Sequence, residues 1–113
     1  MKTYPYKKRI DPRMFKFQWK FGYVLIYRLD KKIYYIDYLN VYPRYMGKGH
    51  SHTILTHITR WADKNRLALK LICEPSRYDS FKPLALRRLY NRYGFKTIGH
   101  IAGHPRMIRK ARS

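Results

Sequence analysis

The chain has almost no acid. Six Asp and Glu stand against 26 Lys and Arg, a formal charge of +20 in 113 residues. A surface this basic disfavours a cationic partner and suits a polyanion, or a substrate carried on one. Charge alone also fits a solvated surface with no partner, because it speaks to association rather than to fold. Cysteine is nearly absent too. A single Cys73 excludes an internal disulfide framework and a cysteine-built metal cage, and a reducing, cytoplasmic setting is expected. No apolar run approaches the ~20 residues that a membrane span needs. The first residues, Met1-Lys2-Thr3-Tyr4-Pro5-Tyr6, lack the apolar stretch of a signal peptide. What is plentiful is apolar and aromatic: 45% of residues are hydrophobic and twelve are tyrosine. That suffices for one domain around one core. The tyrosines offer base-stacking surface or half-buried packing on strands.

Residues 1–12 are basic, carry Pro5 and Pro12, and read as an arm ahead of a single domain over 13–113. Within 13–20, late alternation of polar and apolar residues predicts a short strand. Phe21 to Leu29 and Ile33 to Val41 read as a hairpin across the turn Asp30-Lys31-Lys32, being rich in β-branched and aromatic residues. Pro43 ends the second strand. After Gly49, the apolar positions Ile54, Leu55, Ile58, Trp61 and Ala62 form one helical stripe that stops near Asn65. Leu67 to Cys73 reads as a strand and 74–82 as a polar loop. Pro83 suits a first helical turn. Leu86, Leu89, Tyr90 and Tyr93 make a second stripe, closed by Gly94. Phe95 to Ile101 and Arg106 to Lys110 read as closing strands. The order β-β-β-α-β-α-β-β predicts an α/β fold, a mixed sheet flanked by helices.

The segment Val41-Tyr42-Pro43-Arg44-Tyr45-Met46-Gly47-Lys48-Gly49-His50-Ser51 is the most informative in the chain. A strand enters a glycine loop and a helix leaves it. Backbone N–H groups at such a helix start, with the helix dipole behind them, make an anion site. His50, His52 and His57 do not make a metal site here. The i, i+2 pair falls on different helix faces, no cysteine or acid lies beside it, and solvated or phosphate-facing rings are expected. Cys73 ends an apolar strand and reads as a small core residue.

Two motifs in order then carry a resemblance. Leu39-Asn40-Val41-Tyr42-Pro43-Arg44-Tyr45-Met46-Gly47-Lys48-Gly49 and Leu89-Tyr90-Asn91-Arg92-Tyr93-Gly94-Phe95 resemble the cofactor loop and the Leu-Tyr-x-x-x-Gly-Phe element of the Gcn5-related N-acetyltransferases (GNAT), over roughly residues 22–110. The family transfers an acetyl group from acetyl-CoA to an amine. Gly99 and Met107-Ile108-Arg109-Lys110 fit the end of such domains. The chain departs from the pattern at Met46, where arginine or glutamine is usual, at Ser51 for glycine, and at Pro83 and Leu86. Lys48, His50 or His52 could supply the charge that Met46 lacks. The strand and two helices that usually precede the first hairpin are replaced by a short lead-in. An open acceptor side, or a wall supplied by a second subunit or by the substrate, is the expectation.

The resemblance implies roles. The strand 33–41 splays from 67–73, and the pantetheine arm lies between them. Backbone around Leu39 and Val41 pairs with that arm, and an amide near Val41 faces the thioester oxygen. Met46, Gly47, Lys48, Gly49, His50, Ser51 and His52 surround the pyrophosphate. Tyr90 matches the tyrosine that protonates or orients the thiolate, and packing in the core is its other role. Tyr93 belongs to the core. Asp37, a carboxylate in the apolar run Tyr35-Ile36-Asp37-Tyr38-Leu39, is the candidate general base, its pKa raised by burial. Pairing with a lysine or arginine is the alternative, and Glu74 is a second candidate.

The reading is an acetyl-CoA-dependent N-acetyltransferase with a macromolecular acceptor, polyanionic or bound to nucleic acid. A protein lysine or N-terminus, an aminoacyl-tRNA and a modified base all qualify, and a homodimer is compatible. A GNAT-fold protein that binds nucleic acid without catalysis is the other reading. Small cationic amines would be repelled by the surface. Short basic domains of this kind resemble ones encoded by phages and toxin modules.

Overall fold

The computed structural model describes residues 6–9, 12–74 and 83–112. Strands β1 (Tyr6–Arg9), β2 (Met14–Trp19), β3 (Gly22–Asp30) and β4 (Ile33–Val41) lead into helix α1 (His50–Lys64). Then follow β5 (Ala68–Ile72), α2 (Pro83–Arg92), β6 (Lys96–Ile101) and β7 (His104–Arg109). All strands join one sheet in the order β1-β2-β3-β4-β5-β7-β6. Among the described residues only β4 and β5 pair in parallel. The mixed α/β sheet is the one read from the sequence, with one strand more. Residues 6–9 of the stretch read as an arm pair with β2. Their lysine and arginine content hid the strand, although edge strands commonly carry charge.

A later strand boundary also differs. Strand β7 begins at His104 rather than Arg106, since Ala102 and Gly103 both take positive φ (50° and 81°) and turn the chain in two residues. Pro105 therefore lies inside the strand, and its carbonyl accepts from the Cys73 N–H at 2.8 Å. The loop read over 74–82 falls, from residue 75 onward, outside the described residues.

The connections β4-α1-β5 and β5-α2-β6 move the same way across the sheet, so right-handed crossovers set both helices on one face. Their contact agrees: the Tyr93 hydroxyl lies 2.9 Å from His52 Nδ1, and Thr56 Oγ1 donates to it at 3.4 Å. Val24, Ile26, Leu69 and Met107 from the sheet close on Ile54, Leu55 and Ile58 from α1 and on Leu89 and Phe95. Each such fully buried side chain contributes about 1.5–3 kcal/mol. Trp61 seals the rim, edge-on to Phe17 at 5.5 Å and to Tyr34 at 5.3 Å.

One ion pair ties the helices to the sheet. The Arg109 guanidinium, 4% exposed, reaches both oxygens of Asp63 at 2.8 and 2.9 Å, and its Nε donates to the Tyr93 carbonyl at 2.6 Å. The Arg112 N–H also donates to Asp63, at 2.8 Å. The ends of α1, α2 and β7 meet at this point. The hydrogen bond from Arg109 holds the Asp63 carboxyl below the usual carboxylate range. Removing the acid leaves a buried guanidinium without its counter-charge, so Asp63→Ala should lower stability by about 3 kcal/mol in urea titrations. A depressed native pKa means that the pair's contribution is complete above the unfolded carboxylate range. It is lost as pH falls through the native value, below about pH 4. The variant should lack that part of the acid limb in thermal melts taken from pH 7 downward.

Candidate active site

The parallel pair does not run its full length. Ile33, Tyr34 and Tyr35 pair with Ala68, Leu69 and Lys70, and there the pairing stops. Leu71 and Ile72 continue to bond only to β7. On β4 the cause is local. Leu25 opposes Tyr38, yet Ile26 opposes Ile36, so Asp37 is an extra residue, a bulge that bends the strand. From Ile36 to Val41, the edge of β4 that faces β5 has no strand partner among the described residues. The sequence-based expectation of a splay at this place is met.

The wedge so opened is a cleft. Ile36, Leu39 and Val41 form one wall, Leu71 and Ile72 the other, and Leu86, Leu89 and Tyr90 of α2 close its helix side. At one end stand Tyr45, Met46, Gly47, Gly49, His50 and Ser51, and at the other Asp37, Tyr38 and Glu74. Gly22 holds the far end of β4 in place. A Cβ there would lie 2.1 Å from the Asn40 carbonyl oxygen, so only glycine lets the strands approach so closely. Glycine in the first position of a strand was the signal, and the reading from sequence passed over it.

The loop end is built from backbone. A 3₁₀ turn over Pro43–Tyr45 brings the chain off β4, with Tyr45 N–H bonded to the Tyr42 carbonyl at 2.8 Å. Gly47 and Gly49 then take φ of 77° and 78°, the left-handed region that side chains disfavour. Gly49 is the cap of α1. No side chain caps the helix and no acid sits in its first turn, so the first amides are left for water or an anion. His50 is held face to face on Phe21, with centroids 4.0 Å apart, and edge-on to Tyr45.

Seven of the nine residues assigned to the cofactor from sequence line this cleft: Leu39, Val41, Met46, Gly47, Gly49, His50 and Ser51. Lys48 and His52 do not. Lys48 is exposed on the loop. His52 bonds to Tyr93 across the helix pair, because two residues on from His50 its side chain leaves the opposite helix face. His57 also corrects the expectation of a solvated or phosphate-facing ring. It packs edge-on against Phe17 and Trp19, and burial lowers its pKa.

Tyr90 is 8% exposed and still reaches the cleft wall, so it packs and lines at once. Asp37 stands in the cleft but is exposed rather than buried. It follows the buried Ile36, and the next position of a strand turns to the other face. Glu74 faces the same end, its Oε1 3.7 Å from His104 Nε2. Tyr35 is close to both acids: burial first, then the charges of Asp37 and Glu74, raise its pKa. Cys73 is buried, which pushes its thiol pKa up and leaves it a poor nucleophile.

A glycine loop before an uncapped helix, a strand edge without a partner and a tyrosine between them suit one kind of ligand. It is a phosphate-bearing group with an extended amide arm. Residues 20–95 match the acetyltransferase (GNAT) family model. The chain belongs to that family. No curated protein matches it in sequence. Among solved structures, the anti-CRISPR protein AcrVA5 is similar at 18% identity and TM-score 0.68, with 85% of this chain covering 97% of that one. A GNAT family acetyltransferase from Elizabethkingia anophelis with acetyl-CoA bound gives 13% and 0.65, over 86% and 74% of the two chains. The ribosomal-protein-S18-alanine N-acetyltransferase from Escherichia coli gives 16% and 0.67, over 91% and 73%. At these identities the likeness is one of fold.

Acetyl-CoA is the cosubstrate of this family, and the cleft fits it. The first amides of α1, with Gly47 and Gly49, would hold the pyrophosphate, and the free edge of β4 would hold the pantetheine amides. A Cβ at Gly49 meets no protein atom within 4 Å, so a substitution there acts through the left-handed backbone conformation and on the ligand beside it. Gly49→Val should therefore weaken acetyl-CoA binding by about tenfold, the equivalent of ~1.4 kcal/mol of left-handed strain. Titration calorimetry checks this, with the unfolding temperature as the control for global damage.

Proposed function

We propose that the protein is an N-acetyltransferase whose acceptor amine belongs to a macromolecule, polyanionic or bound to nucleic acid. The observation that carries the reading is the β4–β5 wedge, with phosphate-binding backbone at one end and two carboxylates at the other. Acetyl-CoA supplies an activated acyl group. The chain's own groups do the rest. An amide on the free edge of β4 near Val41 polarises the carbonyl oxygen, a preorganised donor of the kind worth several kcal/mol in acyl transfer. Asp37 or Glu74 takes the proton of the incoming ammonium group, either directly or through water. Tyr90 delivers a proton to the departing sulfur.

The acceptor side supports a large substrate. The cleft ends openly at Asp37, Tyr38 and Glu74, and the chain as a whole carries +20. A free polyamine meets repulsion over most of the surface, whereas an amine held on a nucleoprotein is drawn to it. The last step into the cleft is locally favourable, since the two acids there face a cationic amine. One structural neighbour is named for acetylating an alanine of ribosomal protein S18, so this fold does accommodate a macromolecular acceptor. No helix among the described residues is long and apolar enough to cross a membrane.

Release of free thiol from acetyl-CoA, measured with bulk tRNA or a basic ribosomal protein as acceptor, tests the reading. Tyr90→Phe keeps the packing and removes the proton. It should lower kcat by about a hundredfold while acetyl-CoA still binds. An unchanged rate in the variant removes Tyr90 from the mechanism. Binding of acetyl-CoA without turnover on any acceptor would instead favour a nucleic-acid-binding protein that has kept the fold.

A further inference from the structure

The sheet has a second face, turned away from both helices. Register fixes its membership. One row crosses five strands as Tyr27, Tyr35, Lys70, Ile108 and Lys96. The next holds Lys16, Leu25 and Tyr38 on one side of the cleft and Ile72 and Arg106 on the other. At the far end the Tyr23 ring lies 5.9 Å from Tyr38 and 6.1 Å from Tyr42, and the Lys16 ammonium sits 4.6 Å from its centroid. None of these side chains belongs to the buried core. No helix among the described residues covers them.

Such a face is costly to leave bare in water. It is also unlike an ordinary docking patch. Its tyrosines are spaced by lysine and arginine, and the only described acids beside it, Asp37 and Glu74, sit at the cleft mouth. A second copy of this chain would bring another +20 onto it. A folded acidic protein would satisfy the charge and leave the rings without matched partners. Bases stack on tyrosine rings, and phosphates pair with the basic side chains around them.

We propose that this open face is a stacking platform for single-stranded nucleic acid, RNA or DNA. Bases would lie on Tyr23, Tyr38 and Tyr27, and phosphates would meet Lys16, Lys70 and Arg106. Tyr38 and Ile72 border the cleft as well, so a strand on the platform lies beside the acceptor entrance. The platform names the partner class of the proposed acetyltransferase and rests on that reading for its purpose. Binding itself needs neither acetyl-CoA nor catalysis.

Fluorescence anisotropy on the full chain without acetyl-CoA tests it. The probes are labelled oligouridylate, oligothymidylate and a duplex of equal length. Single strands should bind about tenfold more tightly than duplex at equal salt, and the ratio of the two single strands separates RNA from DNA. The pair Tyr23→Leu with Tyr38→Leu leaves the charge unchanged and should cost about tenfold on single strands without altering the salt slope. Tyr38→Phe should restore most of the binding. Lys16→Ala with Lys70→Ala should instead flatten the salt slope by about one to two. Arg60→Ala with Lys64→Ala, on the exposed side of α1, should leave the preference for single strands intact. Tyr90→Phe should bind as the wild type does, which separates a failed platform from failed catalysis. Equal affinity for duplex and single strand overturns the proposal and needs no variant. So does sedimentation as a dimer that the tyrosine substitutions dissociate, since a second copy would then cover the face.

Discussion

Everything functional here depends on two parallel strands that part after three residue pairs. A sheet gains from each ladder bond, so strands separate only where something forces them. The bulge at Asp37 bends β4 away, and β5 remains committed to β7 through Leu71 and Ile72. The apex of the wedge must then be held firmly, because opening it further would cost the remaining pairs. It is held from both sides. Ala68 N–H bonds to the Lys32 carbonyl at 2.8 Å. Arg109, opposite Leu69 on the next strand, is locked to Asp63 at the end of α1. Rigidity at the joined end is what lets the open end keep backbone groups aimed at a ligand.

In a chain so poor in acid, where the acids stand is informative. Asp11 and Asp79 lie outside the described residues. Of the other four, Asp30 turns the β3–β4 hairpin by accepting from the Lys31 N–H, and Asp63 closes the clamp. Asp37 and Glu74 both face the cleft. None is spent on general surface solubility. The global field and the local one therefore have opposite signs at the acceptor entrance. On the proposed function, the first would draw in a polyanion over long range, and the second would receive an amine once contact is made. At physiological salt the global field decays over about 8 Å, so the two acids act at contact range rather than over distance.

The sequence made much of this visible through periodicity. The β4 bounds, the α1 stripe and the placing of Leu89-Tyr90 and Gly94-Phe95 all follow from residue spacing, since burial on one face imposes it. The bulge did not show, because an extra residue leaves no mark in a run that is apolar on both sides. Asp37, next to buried Ile36, stands in solvent where burial was expected. His57 was misplaced because histidine has no fixed preference for water; the neighbouring rings of Phe17 and Trp19 decide it, and they come from β2. Lys48 and His52 were chosen by proximity in sequence to the glycine loop. A helix start turns successive side chains by about 100°, so adjacency there says little about direction.

Met46 is the departure at the cofactor loop itself, and the structure gives it a physical context. Met46 lines the cleft, so an apolar side chain occupies a place where a cation or amide is usual. Lys48 and His52 do not line the cleft with it. Backbone amides at Gly47, Gly49 and the first turn of α1 remain, with His50 fixed between Phe21 and Tyr45. An exposed ion pair is worth only about 0–1 kcal/mol, whereas a helix start contributes comparable energy through its dipole with no side-chain entropy to lose. The surface potential of a +20 chain adds attraction for any phosphate. On this reading, losing one side-chain cation would be a small change, and binding would rest on the backbone geometry that Gly47 and Gly49 permit.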